Sequence, residues 1–131
     1  MSQHKELTKQ DIESLVGFLD YFQNSGNTFY EVVNGYYRES PEVGRFREEL
    51  NRTGFLIVFN WHEWLAAHED LTDLAQPIEE PIRNADLDTL RKLMTSYIRG
   101  DRFNEGLFIQ AVLNGHITCI LLRLKALKDQ V

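Results

Sequence analysis

Residues 86–127, DLDTLRKLMTSYIRGDRFNEGLFIQAVLNGHITCILLRLKAL, decide the fold: they read as three consecutive helices joined by almost no linker. Leu87, Leu90, Leu93, Met94, Tyr97 and Ile98 recur at the spacing of one helical face. Asp86 is placed to act as N-cap, and Asp88 precedes Arg91 and Lys92 at i,i+3 and i,i+4 in the favourable acid-first order. Gly100 is the natural stop, with Arg99 next to the negative end of the helix dipole. Asp101 is then expected to cap a second helix, with Phe103, Leu107, Phe108, Ala111 and Val112 on one stripe. Ile109 and Leu113 add apolar surface on another side, so this helix should be buried, with Gly106 inside it and Asn114-Gly115 as its end. The third helix sends Ile117, Ile120, Leu121, Leu124 and Leu127 inward and Arg123, Lys125 and Lys128 largely outward. Connections this short place helices directly against one another.

Upstream, Thr8 to Phe22 forms a helical stripe opened by a capping-box pattern, Thr8-Lys9-Gln10-Asp11, with Leu7 and Ile12 spaced for a hydrophobic staple. Asn24 to Asn27 reads as a turn. Residues 28–36 admit two readings: a short helix with Phe29, Val32, Val33 and Tyr36 on one side, stopped at Gly35, or a hairpin across Asn34-Gly35. The helix is the preferred one. Ser40-Pro41 starts a further helix that carries Val43, Phe46 and Leu50 and closes at Gly54. Phe55 to Phe59 is too short an apolar run for a helix and reads as an isolated buried extended segment or the one strand of the fold. Asn60 and Glu63 cap a helix with Trp61, Trp64, Leu65 and His68; Pro77 and Pro81 punctuate an acidic loop after it.

The chain of 131 residues is long enough for one domain with its own core, and 43% hydrophobic and 26% charged residues are ordinary for a globular protein. The expected architecture is therefore all-α: a single compact domain over 1–131, about six helices, a C-terminal three-helix block at 86–128, and room for one short extended segment at 55–59. A single cysteine, Cys119, rules out an intramolecular disulfide framework, and neither a leader-like apolar segment nor a membrane-length run is legible. These features point to the cytoplasm. The net charge of −6 argues against nucleic acid, although it is uneven: residues 1–85 carry 7 basic and 15 acidic side chains, and residues 86–131 carry 7 and 5.

Motifs that carry chemistry are sparse. His62-Glu63 with His68 fails as a zinc pattern, because the histidines are six apart and point to different helical faces. No phosphate loop, dinucleotide fingerprint, nucleophile elbow or cofactor motif is legible. Arg99, Asp101, Arg102 and Glu105 form a charged knot that Arg123 could approach from the last helix, and such arginines either hold an anionic ligand or pair among themselves. Trp61 and Trp64, three apart on one helical face, form either core or a recognition surface. Gly106 in a helix marks close approach by a neighbour or a ligand. His116 reads as a helix-start residue, capping or exposed.

Phe59-Asn60-Trp61-x-x-Trp64, Leu90-x-x-Leu93-Met94-Thr95, Arg99-x-Asp101-Arg102-Phe103-x-x-Gly106 and Gly115-His116-Ile117-x-x-Ile120-Leu121-x-Arg123-Leu124 carry a resemblance over the last two thirds of the chain. With these motifs the chain resembles a mostly bacterial family of small proteins catalogued as a domain of unknown function, whose pattern has aspartate where this chain has Asn60. The resemblance implies a compact, mainly helical domain and no activity.

Three functional expectations follow. The first is a non-enzymatic interaction module that uses Trp61 and Trp64, or the acidic first half, against a protein partner or a second copy of the chain. The second is nucleic-acid or phosphate-ligand binding through Arg99, Arg102 and Arg123, and the third an enzyme with a site near Gly106.

Overall fold

The computed structural model describes residues 6–24, 26–74 and 76–130. Helix α1 (Lys9–Val16) begins with the expected capping box: Asp11 N donates to Thr8 Oγ1 at 3.1 Å and Thr8 N to Asp11 Oδ2 at 3.1 Å. The single helix expected over 8–22 is broken. The chain tightens at Gly17, where Phe18 N bonds the carbonyl of Leu15, and resumes as α2 (Leu19–Gln23). The break swings Phe18 and Phe22 onto Phe46, with ring centroids 5.3 and 5.0 Å apart.

Residues 30–39 correct the preferred reading of that stretch. They form a hairpin, β1 (Tyr30–Val33) antiparallel to β2 (Tyr36–Glu39), with Val33 opposite Tyr36. Asn34 (φ 53°) and Gly35 (φ 82°) supply the two left-handed residues of a type I′ turn. The physical reason is twofold. A helix here would have had no core to face, since most of both strands is exposed, and β-branched and aromatic residues suit a solvated ribbon. Only the root is buried, at Phe29, whose carbonyl accepts from Ser40 N at 2.8 Å.

Helix α3 (Pro41–Thr53) follows its signals, with Ser40 as N-cap, proline in the first turn and left-handed Gly54 at the end. The segment 55–59 is neither helix nor strand: it is irregular, with bends at Leu56 and Phe59. Its backbone is satisfied by side chains of the later helix over Leu87–Gly100: Arg91 donates to the carbonyls of Gly54 (2.7 Å) and Phe55 (3.0 Å), and Thr95 Oγ1 accepts from Ile57 N (3.0 Å). Burial there is partial, for Phe55 and Ile57 point inward while Val58 is 91% exposed.

Helices α4 (Trp61–Ala67) and α5 (Glu69–Thr72) lead through a loop, pinned by buried Ile78 and Ile82, to α6 (Leu87–Gly100), α7 (Leu107–Leu113) and α8 (His116–Leu127). The last three pack on one another as expected, and α1 and α2 close over α8. All contribute to one apolar core, and the fold is mainly helical. Helix α7 is shorter than expected. Residues 101–106 are a turn, Phe103 is 76% exposed rather than on the core stripe, and Gly106 (φ 90°) precedes the helix instead of lying inside it. Asp101 does cap α7, but from a distance: its Oδ1 accepts from Phe108 N at 3.1 Å. Among the described residues no single helix is long and apolar enough to cross a membrane.

Candidate partner-binding cleft

Helix α4 is fixed at its start by Asn60, whose Oδ1 accepts from Glu63 N (3.2 Å) while its Nδ2 donates to Glu63 Oε2 (2.8 Å). An aspartate at position 60 would keep the first bond and lose the second. The α6–α7 turn stands opposite. Between them lies a cleft of about 300 Å³ lined by Trp61, His62, Leu65, Phe103, Leu107 and Asn104, with Tyr97 and Gly100 from α6. Trp61 stacks on His62, and Phe103 leans toward both, its ring centroid 5.8 Å from Trp61 and 5.9 Å from His62. The α6 and α7 helices meet closely at Gly100: a Cβ there would lie 2.7 Å from Leu107 Cδ2, so a larger residue would push the leucine side chain aside.

The structure separates the two tryptophans. Trp61 faces the cleft, whereas Trp64 turns back onto His68 (4.3 Å, stacked) and Phe59 (6.2 Å, edge-on). Both are half-buried, neither fully core nor fully surface.

The charged knot is divided in a way sequence spacing did not show. Arg47 of α3 takes one acidic member, Asp101, whose Oδ2 it reaches at 3.3 Å; it also grips both carboxylate oxygens of Glu39 (2.6 and 2.5 Å) and lies 4.6 Å over the Phe108 ring. Glu105 accepts from Tyr37 N at 3.2 Å, which moors the hairpin to the turn. The side chains of Arg99, half-buried, and Arg102, exposed, make no hydrogen bond or ion pair among the described residues. Arg123 does not join them. Its Nε donates to the carbonyl of Ala85 (2.8 Å), just before α6, while Arg99 lies in the last turn of that helix, about 20 Å away at 1.5 Å per residue. The close approach expected at Gly106 is made by Tyr37, whose ring would stand 2.7 Å from an added Cβ.

Two further groups were hidden from sequence reasoning. Of the two cations spaced to meet Asp88, Lys92 makes the pair, at 2.9 Å, whereas Arg91 is buried, and burial pulls its pKa down. His116, read as capping or exposed, is fully buried at a three-way junction. Its Nε2 meets the carbonyl of Gln76 (2.8 Å) and its Nδ1 meets Tyr97 Oη (2.7 Å), which also reaches the carbonyl of Leu71 (3.1 Å). With Nε2–H donating to Gln76, the one hydroxyl proton of Tyr97 serves either Nδ1 or Leu71. Burial lowers the His116 pKa, against the raising effects of the Gln76 carbonyl and Asp73, and burial raises that of Tyr97. No local signal could have found either group, because their partners lie tens of residues away in sequence. Among the described residues no group of three or more histidine, cysteine or acidic side chains could hold a metal ion.

A mainly helical domain with a moored hairpin and an open aromatic cleft is thus the class of protein these elements define. Residues 7–130 match the family of unknown function DUF6508, and the chain belongs to that family. The match takes in the first helix and the hairpin, well beyond the last two thirds expected from the motifs. No curated protein and no solved structure matches the chain.

Proposed function

We propose that the chain is a non-enzymatic protein-interaction module whose recognition surface is the aromatic cleft of Trp61, His62 and Phe103. The observation that carries this reading is helix α4: its sequence is Trp-His-Glu-Trp-Leu-Ala-Ala, and none of these residues is buried. Large apolar side chains left only partly covered at one place, beside the exposed ring of Phe103, are the usual mark of a surface that a partner covers. Arg99 and Arg102, close to the cleft residues Gly100 and Phe103 in the chain and without a side-chain partner among the described residues, favour a segment with acidic residues beside an aromatic or aliphatic anchor. A bacterial cytoplasm is the setting that belongs to the same proposal.

Selection of displayed random peptides on the purified protein tests it. Enriched peptides should carry an apolar anchor next to Asp or Glu, and Trp61→Ala or Phe103→Ser should release them with little change in melting temperature. Peptides indifferent to both substitutions, or no enrichment at all, would sink the reading.

A further inference from the structure

Helix α8 carries a second stripe besides its core face. Cys119, Leu122, Arg123 and Ala126 follow one another at i, i+3, i+4 and i+7, and they border a groove of about 340 Å³ whose other wall is Glu79, Ile82 and Arg83. That size lies at the small end of ligand-binding sites. The groove sits at the opposite end of α6 from the aromatic cleft, so it is a separate feature. Its floor is apolar: Ile82 is buried, and Leu122 remains 44% exposed with nothing covering it.

What distinguishes the groove is the state of Arg123. The bond from Nε to Ala85 holds the guanidinium in place, yet its Nη groups have no hydrogen-bond or ion-pair partner among the described residues. Arg47 is occupied by Glu39 and Asp101, and Arg91 by two carbonyls; Arg99, also half-buried and without a side-chain partner among the described residues, is not among the groove residues. On the same groove Arg83 pairs with Glu80 at 2.8 Å, but both side chains are largely exposed and the pair exchanges readily with a ligand. Two guanidiniums therefore face one groove carboxylate, Glu79. A held cation with free donors beside the apolar side chains of one groove is complementary to an anionic amphiphile.

We infer that this groove binds a short alkyl carboxylate, its head group held by the Nη donors of Arg123 and its chain lying along Leu122, Ala126 and Cys119. Two parallel charge-assisted bonds give the head group its orientation, and the apolar floor takes the tail. Burial, and secondarily Glu79, raise the Cys119 pKa, so at neutral pH the protonated thiol lines the groove as a small apolar surface.

Calorimetric titration with octanoate tests the assignment, with octanamide (tail without charge) and inorganic phosphate (charge without tail) as comparison ligands. Octanoate should bind saturably, with the other two weaker on the order of tenfold or more. Arg123→Gln should reduce octanoate to the octanamide level. Because that change also removes the Ala85 contact, Ala126→Glu, at an exposed position, provides a second variant: it should block octanoate while the melting temperature holds. Octanoate should also slow alkylation of Cys119, the one cysteine of the chain, and Trp61→Ala should leave octanoate binding intact. Equal affinity for octanoate and octanamide, equal affinity for phosphate, or full octanoate binding in Ala126→Glu would each overturn the assignment. So would loss of octanoate binding in Trp61→Ala, which would move the ligand to the aromatic cleft.

Discussion

Helices α4 and α6 pack against each other and obey the same local rules with opposite results. Each opens on an Asx cap, Asn60 or Asp86, and each repeats apolar residues at helical spacing. Of the 14 residues of α6 eight are buried; of the 7 in α4 none is. The difference lies in what surrounds them. Helix α6 is long enough to meet α7, α8, α4 and the 55–59 segment, and even its polar Arg91, Thr95 and Ser96 are drawn inside and satisfied. Helix α4 has two turns and one flank of neighbours. An apolar stripe states which side of a helix will seek company; the number of neighbours decides whether it is covered.

Truncation should expose that contrast most strongly. Leu93→Ala in α6, at a site with no solvent exposure, is expected to cost about 2–5 kcal/mol in urea denaturation, and Leu65→Ala in α4 less than about 1 kcal/mol. Equal costs would break the comparison. Next in size is Asp101→Ala, which removes both the cap on Phe108 N and a carboxylate from Arg47, at an expected cost of about 2 kcal/mol. Asp101→Asn keeps an oxygen for the cap and should lose visibly less, which separates the two contributions by the same measurement.

Gly106→Ala joins α7 to the cleft side of the molecule and should cost about 1–2 kcal/mol, from a left-handed backbone and the ring of Tyr37. In a Tyr37→Ala background the ring clash disappears and only the backbone part should remain in thermal melts. The smallest expected effect concerns acid. Because burial lowers the His116 pKa, the unfolded chain binds a proton there more readily than the folded one. Its contribution is therefore full above the ordinary value of 6.5 and is lost as pH falls from there toward the lower folded value. Chemical denaturation across that window should show a flatter acid limb for His116→Gln than for the parent, whatever the overall stability of the variant. An unchanged slope would mean that His116 protonates in the folded state as easily as in solution.

Much of the fold was legible because its signals are local. Thr8 with Asp11, Ser40 with Pro41, and Gly54 delimit helices through bonds made within a few residues, and each appears in the structure as the sequence implies. The hairpin was legible too, in Asn34-Gly35, but lost to a helical reading that assumed Val32, Val33 and Tyr36 would find a core. The candidate site was legible only in its members. Trp61, Arg99 and Arg102 stood out as residues of interest, whereas Phe103 was assigned to a helix although it lies in the turn before α7, and the diversion of Asp101 to Arg47 spans 54 positions.

Sequence alone thus determined the helical class, most element boundaries and the inward faces of α6 and α8, because periodicity and caps act within one or two turns. Tertiary structure alone decided which unspent groups stay in water. Trp61 and Phe103 meet across a cleft because the turn at 101–106 interrupts an apolar pattern that looks continuous. Arg123 keeps free donors because the carbonyl nearest to it, that of Ala85, engages only Nε. Both outcomes depend on partners distant in the chain, whose approach is settled by how the whole core packs.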